Sequence, residues 1–142
     1  MDHNMFCFQC EQTAGCTGCT SRGVCGKDAQ TAQVQDRLTG ALIGLARAAD
    51  TSPDAGPETW QLMIEGLFAT LTNVNFDPDS LNALAGRVRA EKQRLVPDCA
   101  VCTAPCGRTG DYDLAQLWGA QEDIRSLKSL LLFGSRGMAA YA

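Results

Sequence analysis

The distribution of cysteine is the feature that most constrains what this chain can fold into. Its eight cysteines form two groups, separated by a cysteine-free stretch over residues 26–98. In chain order they are Cys7, Cys10, Cys16, Cys19 and Cys25, followed by Cys99, Cys102 and Cys106. The single histidine, His3, excludes multi-histidine metal sites and catalysis by a histidine base. Sulfur is therefore the expected source of any chemistry.

The start of the chain and its composition indicate the compartment and the excluded partners. No charged segment followed by an apolar segment opens the chain, so no signal peptide is predicted and a cytoplasmic location is expected. Thiols are kept reduced there, which favours metal or redox chemistry over disulfides. The net charge of −4, with no basic run, argues against a nucleic-acid partner. No apolar run is long enough to span a membrane, so no membrane partner is expected.

The cysteine-free stretch has the periodicity of amphipathic helices, and no alternating strand pattern competes with it. The first helix is predicted over residues 28–49. The second begins at Pro57 and ends at residues 73–75, and the third is capped by Asp77, starts at Pro78 and stops at Pro97. Short loops between three helices predict an antiparallel bundle. The apolar face of the second helix is predicted to consist of Trp60, Met63, Ile64, Leu67, Phe68 and Leu71.

A further helix is predicted from Leu114 or Gln121 to Tyr141, with Asp111 or Asp113 as its cap. Residues 130–133 are all apolar and cover most of its circumference, so this helix needs cover on several sides. The predicted fold is therefore all-α: a three-helix bundle with an N-terminal cysteine-rich cluster loop and an extra C-terminal helix.

The first cysteine group is spaced for binding a metal centre, and its spacing allows more than one interpretation. A Cys-x2-Cys pair lets two thiolates from one turn reach the same centre, and two more close a four-ligand site. Zinc could be held by Cys7, Cys10, Cys16 and Cys19, although zinc modules usually place their pairs further apart. An iron–sulfur cluster fits the wider gaps between Cys7, Cys10, Cys19 and Cys25. Unligated thiols are the third interpretation.

Charged residues and the second cysteine group leave further alternatives open. Arg22 and Lys27 either place positive charge beside an anionic cluster or are simply exposed. Cys99, Cys102 and Cys106 lack a fourth ligand of their own, which Cys16 would supply to complete a second metal site. Otherwise these thiols are small structural side chains packed beside the first site.

Several segments of the chain closely resemble the N-terminal part of hybrid-cluster proteins, the hydroxylamine reductase family. The resemblance is most specific around the first cysteine group and covers nearly the whole chain. The segments that carry it are Met5–Thr13, Gly18–Thr20, Gly23–Lys27, Leu38–Leu45, Leu71–Asp77 and Leu130–Tyr141.

The resemblance implies both a cofactor and a ligand set. In that family the cysteines matching Cys7, Cys10, Cys19 and Cys25 hold a cubane-type iron–sulfur cluster in an all-helical first domain. One [4Fe–4S] or [2Fe–2S] cluster is therefore expected. The alternative of a second iron–sulfur cluster at Cys16, Cys99, Cys102 and Cys106 rests on the spacing of those cysteines and not on the resemblance.

The departure from the family pattern implies a narrower function. Family members are much longer, and their hybrid cluster is held by ligands from later domains that this sequence does not contain. The expected function is electron transfer to or from a redox partner protein, with no catalysis by this chain alone. The alternatives are a zinc-binding or redox-sensing regulatory module, or a fragment of a full hydroxylamine or nitric-oxide reductase. The apolar last helix is the expected surface for docking or homo-oligomerisation.

The expected organisation is one domain with four segments. An iron–sulfur loop (residues 1–27) precedes the three-helix bundle (28–97). A cysteine-rich connecting loop (98–113) then leads to the C-terminal helix (114–142).

Overall fold

A computed structural model describes residues 5–10, 17–97 and 110–142, which form an all-α fold. Its five helices are α1 (Ala29–Thr51), α2 (Pro57–Ala69), α3 (Pro78–Leu95), α4 (Leu114–Trp118) and α5 (Glu122–Ala139). The described residues contain no strand, which confirms the predicted fold class. None of the described helices is long and apolar enough to cross a membrane.

The bundle helices start at local capping signals. The carboxylate of Asp28 accepts a hydrogen bond from the Thr31 backbone N–H over 2.8 Å at the start of α1. Asp77 does the same for α3, accepting from the backbone N–H groups of Asp79 and Ser80. Pro57 opens α2, where its missing N–H is not needed. Because these signals act within one turn, the sequence alone is sufficient to predict them.

Helices α1, α2 and α3 each contact the other two and enclose one apolar core. Leu38, Leu45, Leu81 and Val88 have almost no solvent exposure. Each such side chain contributes about 1.5–3 kcal/mol through its removal from water. Burial of the α1 face against α2 and α3 therefore supplies the scaffold on which the cysteine loop rests.

The predicted buried face of α2 is wrong in part. Trp60, Ile64 and Phe68 are 47%, 39% and 43% exposed, whereas Leu62 and Ala69 are buried. Apolar residues occur all round this helix, so its periodicity does not select one face. The rotation is set by close packing on α1 at Gly66, where a Cβ would lie 2.6 Å from Cδ2 of Leu42.

Of the two predicted starts of the C-terminal helix, Gln121 is confirmed, because it caps α5; the residues from Leu114 form a separate short helix, α4. Asp113 caps α4 by accepting from the Ala115 N–H over 2.9 Å, and the helix ends at Gly119. Helix α5 then packs on α2 and α4. Its only buried described residue is Arg136. Much of its apolar surface is uncovered in the part of the chain that the structure describes; the exposed apolar residues are Ile124, Leu127, Leu130, Leu131 and Met138.

The segment before α4 is fixed directly on the bundle. The Tyr112 N–H donates to the Gly40 carbonyl of α1 over 3.0 Å. A Cβ at Gly40 would lie 2.2 Å from the Tyr112 carbonyl oxygen, so glycine is required for this approach. Asp111 also forms ion pairs with Arg89 and Lys92 of α3. These contacts join residues 110–113 to two helices.

Candidate functional site

The four cysteines implied by the family resemblance lie on a loop that folds back on itself. Cys7 and Cys19 form an antiparallel bridge, with N–H···O distances of 3.0 and 2.8 Å. Cys7 is buried, and Cys10, Cys19 and Cys25 are partly buried. None of the four forms a disulfide. The second predicted group, Cys16, Cys99, Cys102 and Cys106, lies outside the described residues.

A tight turn presents Cys25. The Gly23 N–H donates to the Lys27 carbonyl and the Gly26 N–H donates to the Gly23 carbonyl, each over 2.8 Å. Gly26 has a φ of 92°, a conformation that favours glycine. A Cβ at Gly23 would lie 3.0 Å from Sγ of Cys25. The sulfur therefore sits directly against the turn's backbone.

Lys27 places a buried positive charge at the Cys7 sulfur. Its side chain is 5% exposed, and Nζ donates to Cys7 Sγ over 3.9 Å and to the side-chain oxygen of Gln35. Burial raises the pKa of the Cys7 thiol, and the Lys27 charge opposes that rise. Of the two basic residues considered from sequence, Lys27 lies beside a thiol, whereas Arg22 is exposed and donates to the Gly26 carbonyl.

Gln9 and Arg136 form a link between the loop and the last helix that sequence reasoning missed. Arg136 donates to the backbone oxygen of Gln9 over 3.1 Å and to its side-chain oxygen over 3.2 Å. It also donates to Oγ1 of Thr39 over 2.8 Å and to Oγ1 of Thr70 over 3.1 Å. One guanidinium of α5 thus joins Gln9, which lies between Cys7 and Cys10, to α1 and to the end of α2. The sequence signal was an arginine shortly after the apolar run at residues 130–133.

A partly buried carboxylate lies on the other side of Gln9. The Gln9 amide donates to Asp36 of α1. Burial raises the pKa of Asp36 to about 6, against the lowering effects of this hydrogen bond and of the positive charges on Lys27 and Arg136. Burial also lowers the pKa of Arg136 to about 10, so its guanidinium keeps its charge at neutral pH. The loop is therefore surrounded by two cations and one weakly acidic carboxyl group.

Aromatic side chains cover the same stretch of loop. The rings of Phe6 and Phe8 each lie 5.0 Å from the ring of Trp118 in α4. The Arg125 guanidinium lies over the Trp118 ring at 4.8 Å. Phe8 is buried, and this cluster shields the backbone next to Cys7 from water.

The donor set suits an iron–sulfur cluster better than a hard metal ion. Thiolates are the usual ligands of such clusters, and neighbouring cations and backbone N–H groups stabilise their negative charge. Among the described residues, no three His, Cys, Asp or Glu side chains are already arranged as a metal site. Holding a cluster would therefore draw the four thiols closer together. The alternative zinc set includes Cys16, which lies outside the described residues.

Comparison with known proteins gives one consistent assignment. The model of the Prismane/CO dehydrogenase family matches residues 5–142. The chain is 39% identical to a hydroxylamine reductase of Clostridium perfringens, over 97% of this chain and 29% of the relative. It is 38% identical to a hydroxylamine reductase of Desulfitobacterium hafniense, over 98% of this chain and 29% of that protein. The chain thus spans less than a third of the length of the curated relatives it matches.

Proposed function

Because this chain belongs to the Prismane/CO dehydrogenase family, we propose that it is an iron–sulfur electron-transfer domain. Cys7, Cys10, Cys19 and Cys25 would hold the cluster, which we propose to be [4Fe–4S], with [2Fe–2S] as the smaller alternative. The family's resident chemistry supports iron and sulfide over zinc. The cations beside the described thiols suit any anionic four-thiolate centre, so the choice of iron and sulfide comes from the family.

The observation that carries the proposal is the buried positive charge around the Cys7 thiol. Thiolates bound to iron bring negative charge into a partly buried loop, and that charge is costly without compensation. Lys27 Nζ lies 3.9 Å from the Cys7 sulfur, and the guanidinium of Arg136 holds the adjacent Gln9. Ligated thiolates in the loop would place negative charge next to both cations, which unligated neutral thiols would not do.

The chain's own residues would bind, orient and shield the cofactor. When bound, an iron–sulfur cluster accepts and releases single electrons. The Cys7–Cys19 bridge holds two thiols at the same level of the loop, and the Gly23–Lys27 turn supplies Cys25. Phe8 and Trp118 limit the access of water from one side. Lys27 favours the more negative, reduced state because it lies next to a ligand sulfur.

The complete reaction is proposed for an assembly rather than for this chain alone. Its relatives are named hydroxylamine reductases, and this chain matches only 29% of their length. We propose that it passes electrons to or from a partner protein that carries the reductase site, in the cytoplasm. A zinc-binding or redox-sensing role remains the competing hypothesis.

The test is anaerobic purification followed by iron, sulfide and zinc analysis and by EPR spectroscopy of the reduced protein. We expect stoichiometric iron and acid-labile sulfide, with loss of both in the Cys7→Ser and Cys25→Ser variants. Fewer than about two irons per chain after reconstitution would overturn the proposal, because even the smaller cluster contains two. Zinc without sulfide would support the regulatory module instead.

A separate variant tests whether the second cysteine group binds a cluster. If Cys16, Cys99, Cys102 and Cys106 hold a second cluster, the Cys102→Ser variant will lose about half of the iron while keeping the signal of the first cluster. Unchanged iron and an unchanged EPR spectrum would show that these cysteines are not ligands.

A further inference from the structure

Arg136 is the largest fully buried side chain among the described residues. Its exposed fraction is 2%, and it lies near the end of α5, a helix that is otherwise exposed or half-exposed. Its four hydrogen bonds to described residues are accepted by neutral groups, namely two hydroxyls, one amide and one backbone carbonyl. No carboxylate within the described part of the chain forms an ion pair with it.

A buried guanidinium whose hydrogen bonds all go to neutral groups is favoured by negative charge nearby, because the loss of hydration of a charge is costly. The groups that can be negative and whose fields reach Arg136 are Asp36, Cys7 and Cys10. Two of these three are thiols of the loop, on either side of the residue that Arg136 binds. Asp36 is the first of the three, and thiolates ligated on either side of Gln9 would add to its compensation of the Arg136 charge.

We infer that Arg136 is a positioning residue for the cluster loop, fixing the Cys7–Cys10 segment through Gln9 and compensating the charge of the ligated thiolates. This inference rests on the proposed iron–sulfur function. It assigns a role to the C-terminal helix, which contributes no cysteine to the site. Through this single side chain, α5 becomes part of the cofactor site.

The hydrogen-bond geometry of Arg136 allows its positioning role to be tested separately from its charge. The planar guanidinium presents several N–H donors in a fixed arrangement, and here it reaches Gln9, Thr39 and Thr70 at the same time. An ammonium group carries the same charge but cannot hold the three partners in that arrangement. Arg136→Lys therefore retains the positive charge but loses the planar arrangement of N–H donors. Arg136→Met loses both the charge and the donors.

The first experiment measures the cluster's midpoint potential by anaerobic redox titration, followed by EPR. We expect Arg136→Met to lower the potential, because a positive charge near the cluster favours the reduced state. A tenfold change in the electron-binding constant corresponds to a shift of about 59 mV. Arg136→Lys should retain most of the wild-type potential. Arg87→Met is the matched control, since it removes a surface arginine that is 59% exposed.

The second experiment uses the apoprotein and measures hydrogen exchange of the backbone amides of residues 5–10. We expect faster exchange in both Arg136→Met and Arg136→Lys, and unchanged exchange in Arg87→Met. If Arg136→Met does not fold, Arg136→Lys and Gln9→Met test the same link, with circular dichroism confirming their helical content.

The two proposals fail in different ways. Wild-type protein without iron and sulfide would overturn the proposed function. A loaded Arg136→Met variant with wild-type potential and wild-type exchange would overturn the inference about Arg136 and leave the proposed function intact.

Discussion

Lys27 shows how one buried side chain can influence the candidate cluster. Its Nζ lies 3.9 Å from the Cys7 sulfur and also binds Gln35. We expect Lys27→Met to lower the midpoint potential of the loaded protein, because removing a nearby positive charge disfavours the added electron. The expected shift is on the order of 59 mV, a tenfold change in the electron-binding constant.

The matched control for this variant is Lys128→Met. Lys128 is exposed on α5, so its charge is screened by water and salt. Equal potentials for Lys27→Met and the wild type would contradict the assigned role of Lys27. Equal shifts in both variants would show that only the net charge matters.

At the level of single residues, sequence reasoning predicted a type of site but not its surroundings. The spacing of the cysteines and the family resemblance indicated four ligands without any structural information. The burial of Lys27 stayed undecided because a basic residue in a glycine-rich loop can be exposed or enclosed. Arg136 and Gln9 were missed because their link spans 127 positions. No local pattern encodes a contact of that separation.

The pairing of α2 with α3 includes a carboxylate whose pKa predicts a pH dependence. Glu91 of α3 accepts hydrogen bonds from Arg94 and from the fully buried hydroxyl of Thr59 in α2. The hydrogen bonds from Arg94, followed by that from Thr59, lower the pKa of Glu91 to about 2. Its unfolded value is about 4.3.

The sign of the effect follows from these two values. The folded state holds the ionised carboxylate more favourably, so the stabilisation is fully present above about pH 4.3 and is lost as the pH falls toward 2. We expect Glu91→Gln to flatten the decrease in melting temperature of the apoprotein over this range. Glu65→Gln, an exposed carboxylate on α2, is the control. Parallel curves for Glu91→Gln and the wild type would contradict the prediction.

Close approach to α1 gives a second prediction at the level of elements. A Cβ at Gly40 would lie 2.2 Å from the backbone oxygen of Tyr112, and backbone atoms cannot rotate away. We expect Gly40→Ala to decrease the free energy of unfolding by about 1–3 kcal/mol, measured in urea. Gly86→Ala is the control, since nothing lies within 4 Å of that position. It should increase stability by about 0.5–1 kcal/mol, because alanine favours a helix over glycine.

The sequence predicted where the helices begin better than it predicted which face of each helix is buried. The starts of α1, α2 and α3 follow from Asp28, Pro57 and Asp77, which act on their own first turn. The rotation of α2 depends on Gly66 packing against Leu42, a contact between helices, so its periodicity could not select the buried face. The break between α4 and α5 follows Gly119, which fits the low helix propensity of glycine.

At the level of the whole molecule, α5 presents an apolar stripe to solvent. Ile124, Leu127, Leu131 and Met138 are each at least 44% exposed. With Gly134 they recur at alternating intervals of three and four residues, the pattern of a coiled-coil contact. If two copies of α5 pair antiparallel in the register that matches this pattern, Leu131 of each lies opposite Gly134 of the other. A large side chain then meets a small one, as close packing requires.

We therefore propose that two copies of this chain associate through α5. The wild-type protein should sediment as a dimer, and Leu127→Glu combined with Leu131→Glu should give a monomer. Ser126→Glu, an exposed polar position on the same helix, should leave the dimer intact. A monomeric wild type at micromolar concentrations would contradict this proposal and leave the stripe available to a different protein.

The contact between Gln9 and Arg136 also has a consequence for the order of events during synthesis. The two residues lie 127 positions apart, so the cysteine loop is translated well before the residue that anchors it. At about 5–20 residues per second, the loop leaves the ribosome roughly 6–25 s before Arg136 does. During that interval the loop lacks the hydrogen bonds that Arg136 donates to Gln9. The loop is thus made before the residue that fixes it, and its support is completed only once α5 has been synthesised.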